Sequence, residues 1–301
     1  LYFAALASLS TISKVFGMKK SLFVFAALIF VMQVAALAQD WSYGFRAGLS
    51  FGKQIGPAEA GETFDYNSGF HIALGFGRSF TDLWGLRGEL QYSQKGTRQK
   101  FEGSSYLSLI ADSGNRYTFA GSKKLTLANY NSYIDVPVVV YARVAKWLEV
   151  SGGLYAGVNI VSTGNGELNF SSDALDAPLS VELDHNYIGD EAGEADLSGA
   201  RIVKTKSGGE QFKVPTVAGA YFFQTAKPAN FYQVLDYGLV GGLSFYINRG
   251  LFLGGRLVYG LADPTNDDAD FSLLGQASGI SVSRADKDRN LVIQTSVGFN
   301  F

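Results

Sequence analysis

The sequence predicts an all-β protein: an eight-stranded, antiparallel, up-and-down transmembrane β-barrel with long extracellular loops and short periplasmic turns. Three observations lead there. Eight stretches alternate large apolar residues with small or polar ones, the period of a strand with two unlike faces. The gaps between them run long and short in turn, as in a barrel whose two chain ends share one side of the membrane. Charged residues are only 17%, against about 25% in soluble domains. Gly (36 residues) and aromatics (14%) are abundant. Only helices and closed barrels satisfy every backbone polar group inside a bilayer, and alternating strands leave the barrel.

The N-terminal segment reads as an export signal. Met18-Lys19-Lys20 is a positive start, Ser21–Val34 an apolar run, and Ala36-Leu37-Ala38 a small-x-small cleavage site. The apolar run is short for a membrane helix of ~20 residues. Residues 1–17 are expected to be an upstream over-extension, 18–38 the signal peptide, and 39–301 the barrel domain. Lys14, Lys19 and Lys20 belong to the removed part, which holds no acid. The remainder is therefore acidic on balance, which argues against nucleic acid as a partner. With no cysteine, disulfides, a lipoprotein anchor and thiolate metal sites are excluded.

The first strand, Trp41–Gly52, sets Trp41, Tyr43, Phe45, Ala47, Leu49 and Phe51 against Ser42, Gly44, Arg46, Gly48 and Ser50. In the second, Gly69–Gly77, Phe70, Ile72, Leu74 and Phe76 face lipid, with His71 among glycines on the other face. The third, Leu83–Lys95, turns Trp84, Leu86, Leu90 and Tyr92 outward and Arg87, Glu89, Gln91, Ser93 and Lys95 inward. An Arg or Lys on the lipid face near the midplane would cost ~2–4 kcal/mol, so the charged face must be the lumen. A long loop is expected over 96–129. The fourth strand, Tyr130–Arg143, points Ile134, Val136, Val138 and Val140 out and Tyr133, Asp135, Pro137 and Tyr141 in. Pro137 has no N–H to give a central ladder, so a bulge is expected there.

The fifth strand runs from Leu148 to about Val161 with Glu149, Ser151, Gly153, Tyr155 and Asn159 inward. The longest loop is expected over 162–229. The sixth strand, Phe231–Ile247, carries Asp236 on its inner face. Asn248-Arg249-Gly250 is hairpin chemistry, since Asn and Gly tolerate φ > 0. The seventh strand, Leu251–Leu261, brings Arg256 inward, and a third long loop spans 262–289. The eighth, Leu291–Phe301, is apolar at Leu291, Ile293, Val297, Phe299 and Phe301 and polar at Gln294, Ser296 and Asn300.

Trp41, Trp84 and Trp147 each open an odd strand, so all three are expected as anchors at the periplasmic interface. Strict alternation puts Trp147 on the same face as Glu149, which leaves its aim open. Phe299 and Phe301 are expected as the C-terminal signal for the barrel-assembly machinery. The other expected partners are outer-membrane lipid, lipopolysaccharide and an envelope protein.

Several runs resemble a known family: Tyr43-Gly44-Phe45-Arg46-Ala47-Gly48, Gly88-Glu89-Leu90-Gln91-Tyr92-Ser93-Gln94-Lys95-Gly96, Tyr133-Ile134-Asp135-Val136-Pro137-Val138 and Gly152-Gly153-Leu154-Tyr155-Ala156-Gly157. They are similar to the PorT-like outer-membrane β-barrel domain family of Gram-negative bacteria. The resemblance implies an eight-stranded outer-membrane barrel over most of residues 39–301. It also implies a role as an accessory of protein secretion, although the very long loop after the fifth strand departs from the family pattern.

The inward set Arg46, His71, Arg87, Glu89, Asp135, Glu149, Asp236 and Arg256 is a lumen charge network. An eight-stranded interior is just wide enough for side chains. The network is therefore expected to be a salt-bridged plug, with a narrow gated pore as the alternative. His71 and His185 show no spacing to a nucleophile, so no catalytic residue, no cofactor and no resident metal are expected. Two acidic loop clusters carry oxygen ligands dense enough for Ca²⁺: Asp263, Asn266, Asp267, Asp268 and Asp270, and Asp184, Asp190, Glu191, Glu194 and Asp196. Neither follows the EF-hand order, so both read as solvated loop. Tyr221-Phe222-Phe223 and Phe231-Tyr232 read as an aromatic edge where strand leaves the membrane, with a partner-binding patch as the alternative. The leading function is a non-enzymatic scaffold or accessory of an envelope assembly. A small pore and a loop-mediated adhesin are the alternatives.

Overall fold

A computed structural model describes residues 41–301 apart from 194, 225, 278 and 279. The expected leader over 18–38 and the upstream segment 1–17 lie outside the described residues, as does Glu194 of the second acidic cluster. Fifteen strands follow in order: β1 (Trp41–Ile55), β2 (Glu62–Ser79), β3 (Trp84–Ile110), β4 (Arg116–Ala145), β5 (Leu148–Ser171), β6 (Leu179–Asn186), β7 (Ala195–Asp196), β8 (Arg201–Lys204), β9 (Gln211–Val214), β10 (Val217–Ala218), β11 (Leu235–Tyr246), β12 (Leu251–Gly260), β13 (Phe271–Ala277), β14 (Ile280–Ser283) and β15 (Arg289–Asn300). Eight of them close a ring, β11-β12-β15-β1-β2-β3-β4-β5, with β5 paired back to β11. All these pairings are antiparallel, and the ring leaves no open edge at membrane level.

The alternation decides which face meets lipid. Leu74 is 61% exposed and Leu154 63%, and Phe45, Ile72, Val138, Leu239, Leu253 and Val297 are exposed with them. A belt of bare aliphatic side chains on every strand is untenable in water and suited to hydrocarbon. The opposite faces are buried in the lumen. The ends that carry β1, β15 and the short turns 80–83, 146–147 and 247–250 are periplasmic. Trp84 and Trp147 are exposed there and Trp41 is half-buried. Trp147 sits in the turn before β5, which frees it from that strand's alternation; it stacks on Phe245 at 6.1 Å. In the turn 247–250, the Asn248 side chain accepts from the Gly250 and Leu251 N–H groups at 3.0 and 2.8 Å. Gly250 itself is not left-handed, so the Asn side chain, not a positive φ at Gly250, holds this turn.

Several expectations are corrected. Pro137 stays in register with Tyr155 on β5, and rungs to β3 resume on either side at Gly88↔Val138 and Gln91↔Asp135. The nearest β4–β5 bulge lies instead where Ser132 pairs Val161 and Tyr133 pairs Asn159, which skips Ile160. It flips which β5 residues face in, from odd numbers up to Asn159 to even numbers from Ser162. Further slips lie between Arg143 and Ala145 on β4 and between Tyr66 and His71 on β2.

The segment 96–129 is not a loop. β3 and β4 stay paired without a break from Arg98↔Ala128 to Ile110↔Arg116, far beyond what a bilayer needs. β5 continues likewise to Ser171 and there pairs with β6, and β10 runs parallel to β6. The 162–229 segment also holds the β8–β9 hairpin, and 262–289 holds β13–β14. Along this extension the polarity reverses: apolar residues point in and polar ones out. Phe101, Leu107, Leu109, Phe119, Leu125, Leu127, Leu168, Phe170, Val181, Leu183 and Phe212 form one buried core. Sixth-strand pairing starts at Leu235 rather than Phe231, and the expected aromatic edge is folded inward. Tyr221 and Tyr232 are buried, and Tyr187 packs on Phe231 and Tyr232 at 5.4 and 5.0 Å.

Candidate functional site

Three strands bring the central lumen cluster together. Arg256 from β12 meets Glu89 from β3 in a two-pronged contact at 2.7 and 2.5 Å. Arg46 from β1 reaches the same carboxylate at 3.0 Å and the Gln91 side-chain oxygen at 2.7 Å. One step toward the periplasm, Arg87 holds Glu149 at 2.8 and 3.2 Å, and the Tyr246 hydroxyl donates to Glu149 at 3.2 Å. Toward the outside, Lys95 bridges Asp135 and Asp236, 2.9 Å from each. Its ammonium also lies over the Tyr133 and Tyr155 rings at 4.4 and 4.3 Å. Ser93 donates to Asp135, and Tyr155 and Asn290 to Asp236.

Seven of the eight residues read as a lumen network thus fall into three compact groups. The eighth, His71, is buried too, and its Nδ1 lies 3.2 Å from Ser50 Oγ. Lys95 was placed on the inner face by alternation yet left out of the network, and it is the member that joins β3, β4 and β11. With it, four cations (Arg46, Arg87, Lys95, Arg256) meet four carboxylates (Glu89, Asp135, Glu149, Asp236), each nearly or fully buried. Charges so placed are tolerable only with this matching, because desolvation of a lone ion costs several kcal/mol. The lumen cavity beside Arg46, Glu89 and Arg256 measures about 20 Å³.

Outside the membrane the extension forms an open pocket of about 230 Å³. Leu125, Leu127, Leu168, Leu183 and Phe223 give it apolar walls, and Lys123 and His185 are its ionisable members beside Arg116. Burial pushes the Lys123 ammonium down to about 8 and the His185 imidazole down to about 4. The His185 Nδ1 lies 3.1 Å from the Tyr187 hydroxyl.

A third group sits at the extracellular rim. Asp270, Asp286 and Asp288 bring carboxylate oxygens within 4.8 Å of one another. Burial pushes the Asp270 and Asp288 carboxyls up to about 7. The sequence had grouped Asp270 with Asp263, Asn266, Asp267 and Asp268. The fold pairs it instead with residues from just before β15, a juxtaposition no local spacing could reveal.

Residues 37–266 match the family model described as outer membrane protein beta-barrel domain. A comparison with the curated proteins finds no match. Among solved structures the chain is similar to Ail, the attachment invasion locus protein of Yersinia pestis (14% identity, 87% of this chain and 100% of that one, TM-score 0.35). It is similar also to the outer membrane protein OprG from Pseudomonas aeruginosa (12% identity, 87% and 96%, TM-score 0.31). A third likeness is to Neisserial surface protein A (12% identity, 86% and 97%, TM-score 0.25).

Proposed function

The chain belongs to the outer membrane protein beta-barrel domain family, and on that premise we propose that it is a closed, non-enzymatic barrel that works outside the membrane. Its extracellular extension is the working part, and its role is to hold another component of the envelope. One observation carries this reading: β3, β4 and β5 run well past the lipid belt into a core of their own. A barrel needing only an anchor has no use for that investment in buried apolar surface. The lumen groups serve as a plug. Trp41, Trp84 and Trp147 serve as interfacial anchors, Phe299 and Phe301 as the assembly signal, and 18–38 as the export leader. The finer PorT-like reading, an accessory of protein secretion, is one form this role would take, and adhesion to a neighbouring surface is another.

The test is purification of the tagged protein from native outer membranes in mild detergent, beside a variant in which 172–234 is replaced by a short turn. A stoichiometric partner with the intact chain, lost with the shortened one, is expected. A solitary barrel in both samples overturns the proposal. Differential gel migration of boiled and unboiled samples checks that each barrel is folded.

A further inference from the structure

The rim carboxylates are buried beyond what their surroundings compensate. Asp288 is 4% exposed and its Oδ1 has no hydrogen-bond partner; the Oδ1 of Asp286 has none either. Asp270 is buried beside them. Arg284 is the cation that reaches the group, but its guanidinium is shared: it contacts Glu62 at 3.1 Å, Asp286 at 2.6 Å and the Pro57 carbonyl at 2.8 Å. Glu62, itself buried, draws on the same cation, and Asp263 adds to the negative field at Asp288. Three acids so close, two of them carrying an orphaned oxygen, share Arg284 with Glu62 and keep an excess of buried negative charge.

We propose that Asp270, Asp286 and Asp288 form a binding site for a divalent cation of the calcium class at the extracellular rim of the barrel. The donors are all hard oxygens, which excludes soft-metal chemistry. They come from loop segments whose geometry can adapt, as calcium's irregular shell of 6–8 oxygens allows. Asp270 precedes β13, while Asp286 and Asp288 lie between β14 and β15, so the ion ties together the two flanks of the β13–β14 hairpin. Arg284 joins that knot to the β1–β2 connection through Pro57 and Glu62. Extracellular modules bind calcium at ~10⁻⁴–10⁻³ M, and a site with three carboxylates belongs in that range.

Equilibrium dialysis of the folded, detergent-solubilised chain against Ca²⁺ from ~0.01 to 10 mM covers that range. One equivalent per chain is expected, with affinity at least tenfold weaker in Asp288→Asn and Asp270→Asn. Asp268→Asn, in the exposed part of the same loop, should bind as the unaltered chain does. Asp286→Asn, at a less buried position, keeps the test open if the other variants fail to fold. No saturable binding up to ~10 mM overturns the proposal. So does undiminished binding in folded Asp288→Asn, or loss of binding in Asp268→Asn.

Discussion

Glu89 stands between two guanidinium groups, and its neutralisation would strand both. Removing one member of a buried ion cluster costs about 3–5 kcal/mol, because the remaining charge has no water to return to. Glu89→Gln should therefore lower barrel stability by that order in urea titrations followed by gel migration. The exposed pair Lys100–Asp65 is as short, at 2.7 Å, yet both side chains are about half exposed. Lys100→Ala should leave the unfolding midpoint nearly unchanged in the same assay, since solvent and salt already screen that pair. Bond length alone would rank the two equal, and burial separates them. His185 adds a pH dependence outside the membrane. Burial holds its folded-state pKa at about 4, below the ordinary ~6.5. The folded state thus favours the neutral ring. Stability from this group is complete above about 6.5 and drains as pH falls toward 4, by roughly 2 kcal/mol. Amide protection factors along β5 and β6 should fall over that window, and His185→Gln should flatten the change. Protection that rises on acidification would contradict the sign.

At the level of elements, Phe212 is the pin of the long 172–234 excursion. It is fully buried and meets Phe119 edge-on at 5.3 Å and Tyr117 at 5.7 Å, joining the β8–β9 hairpin to β4. Phe212→Ala should cost ~3–5 kcal/mol of local stability. Limited proteolysis should then cut within 201–214, while the unboiled barrel migrates unchanged; loss of the barrel band would mean that the two regions fold as one unit. The same region shows where sequence reading stops. The eight membrane strands were legible because lipid and lumen demand opposite polarity at every second residue. In 96–129 the alternation persists, but its sense inverts: Phe101, Leu107 and Leu125 point in, while Lys100, Glu102 and Lys124 point out. A search for apolar-out strands therefore read a hairpin as loop. Individual ion pairs were illegible for another reason. Alternation says that Glu89 faces inward, but not that β12 sets Arg256 beside it, since that depends on the stagger of the closed ring.

For the molecule as a whole, the question is whether the ring conducts. Its three charged groups lie at successive levels along β3, with Arg87 nearest the periplasm, Glu89 next and Lys95 outermost. Four positive and four negative charges cancel within the lumen, so no net field draws ions of either sign. Side chains fill the section, and the central cavity of about 20 Å³ holds on the order of one water. Above the lumen, β3, β4 and β5 continue into the extension with its own apolar core. An ion would have to break all three clusters in series. Purified barrel in planar bilayers should accordingly show no steady conductance at moderate voltage. Arg87→Ala and Glu89→Gln should each leave it closed, because two levels remain intact when one is cut. Steady channels in the unaltered protein, altered by either change, would make the lumen a pore. A closed record would instead assign the lumen charges to holding the wall, and it would leave the extracellular extension as the surface through which the protein acts.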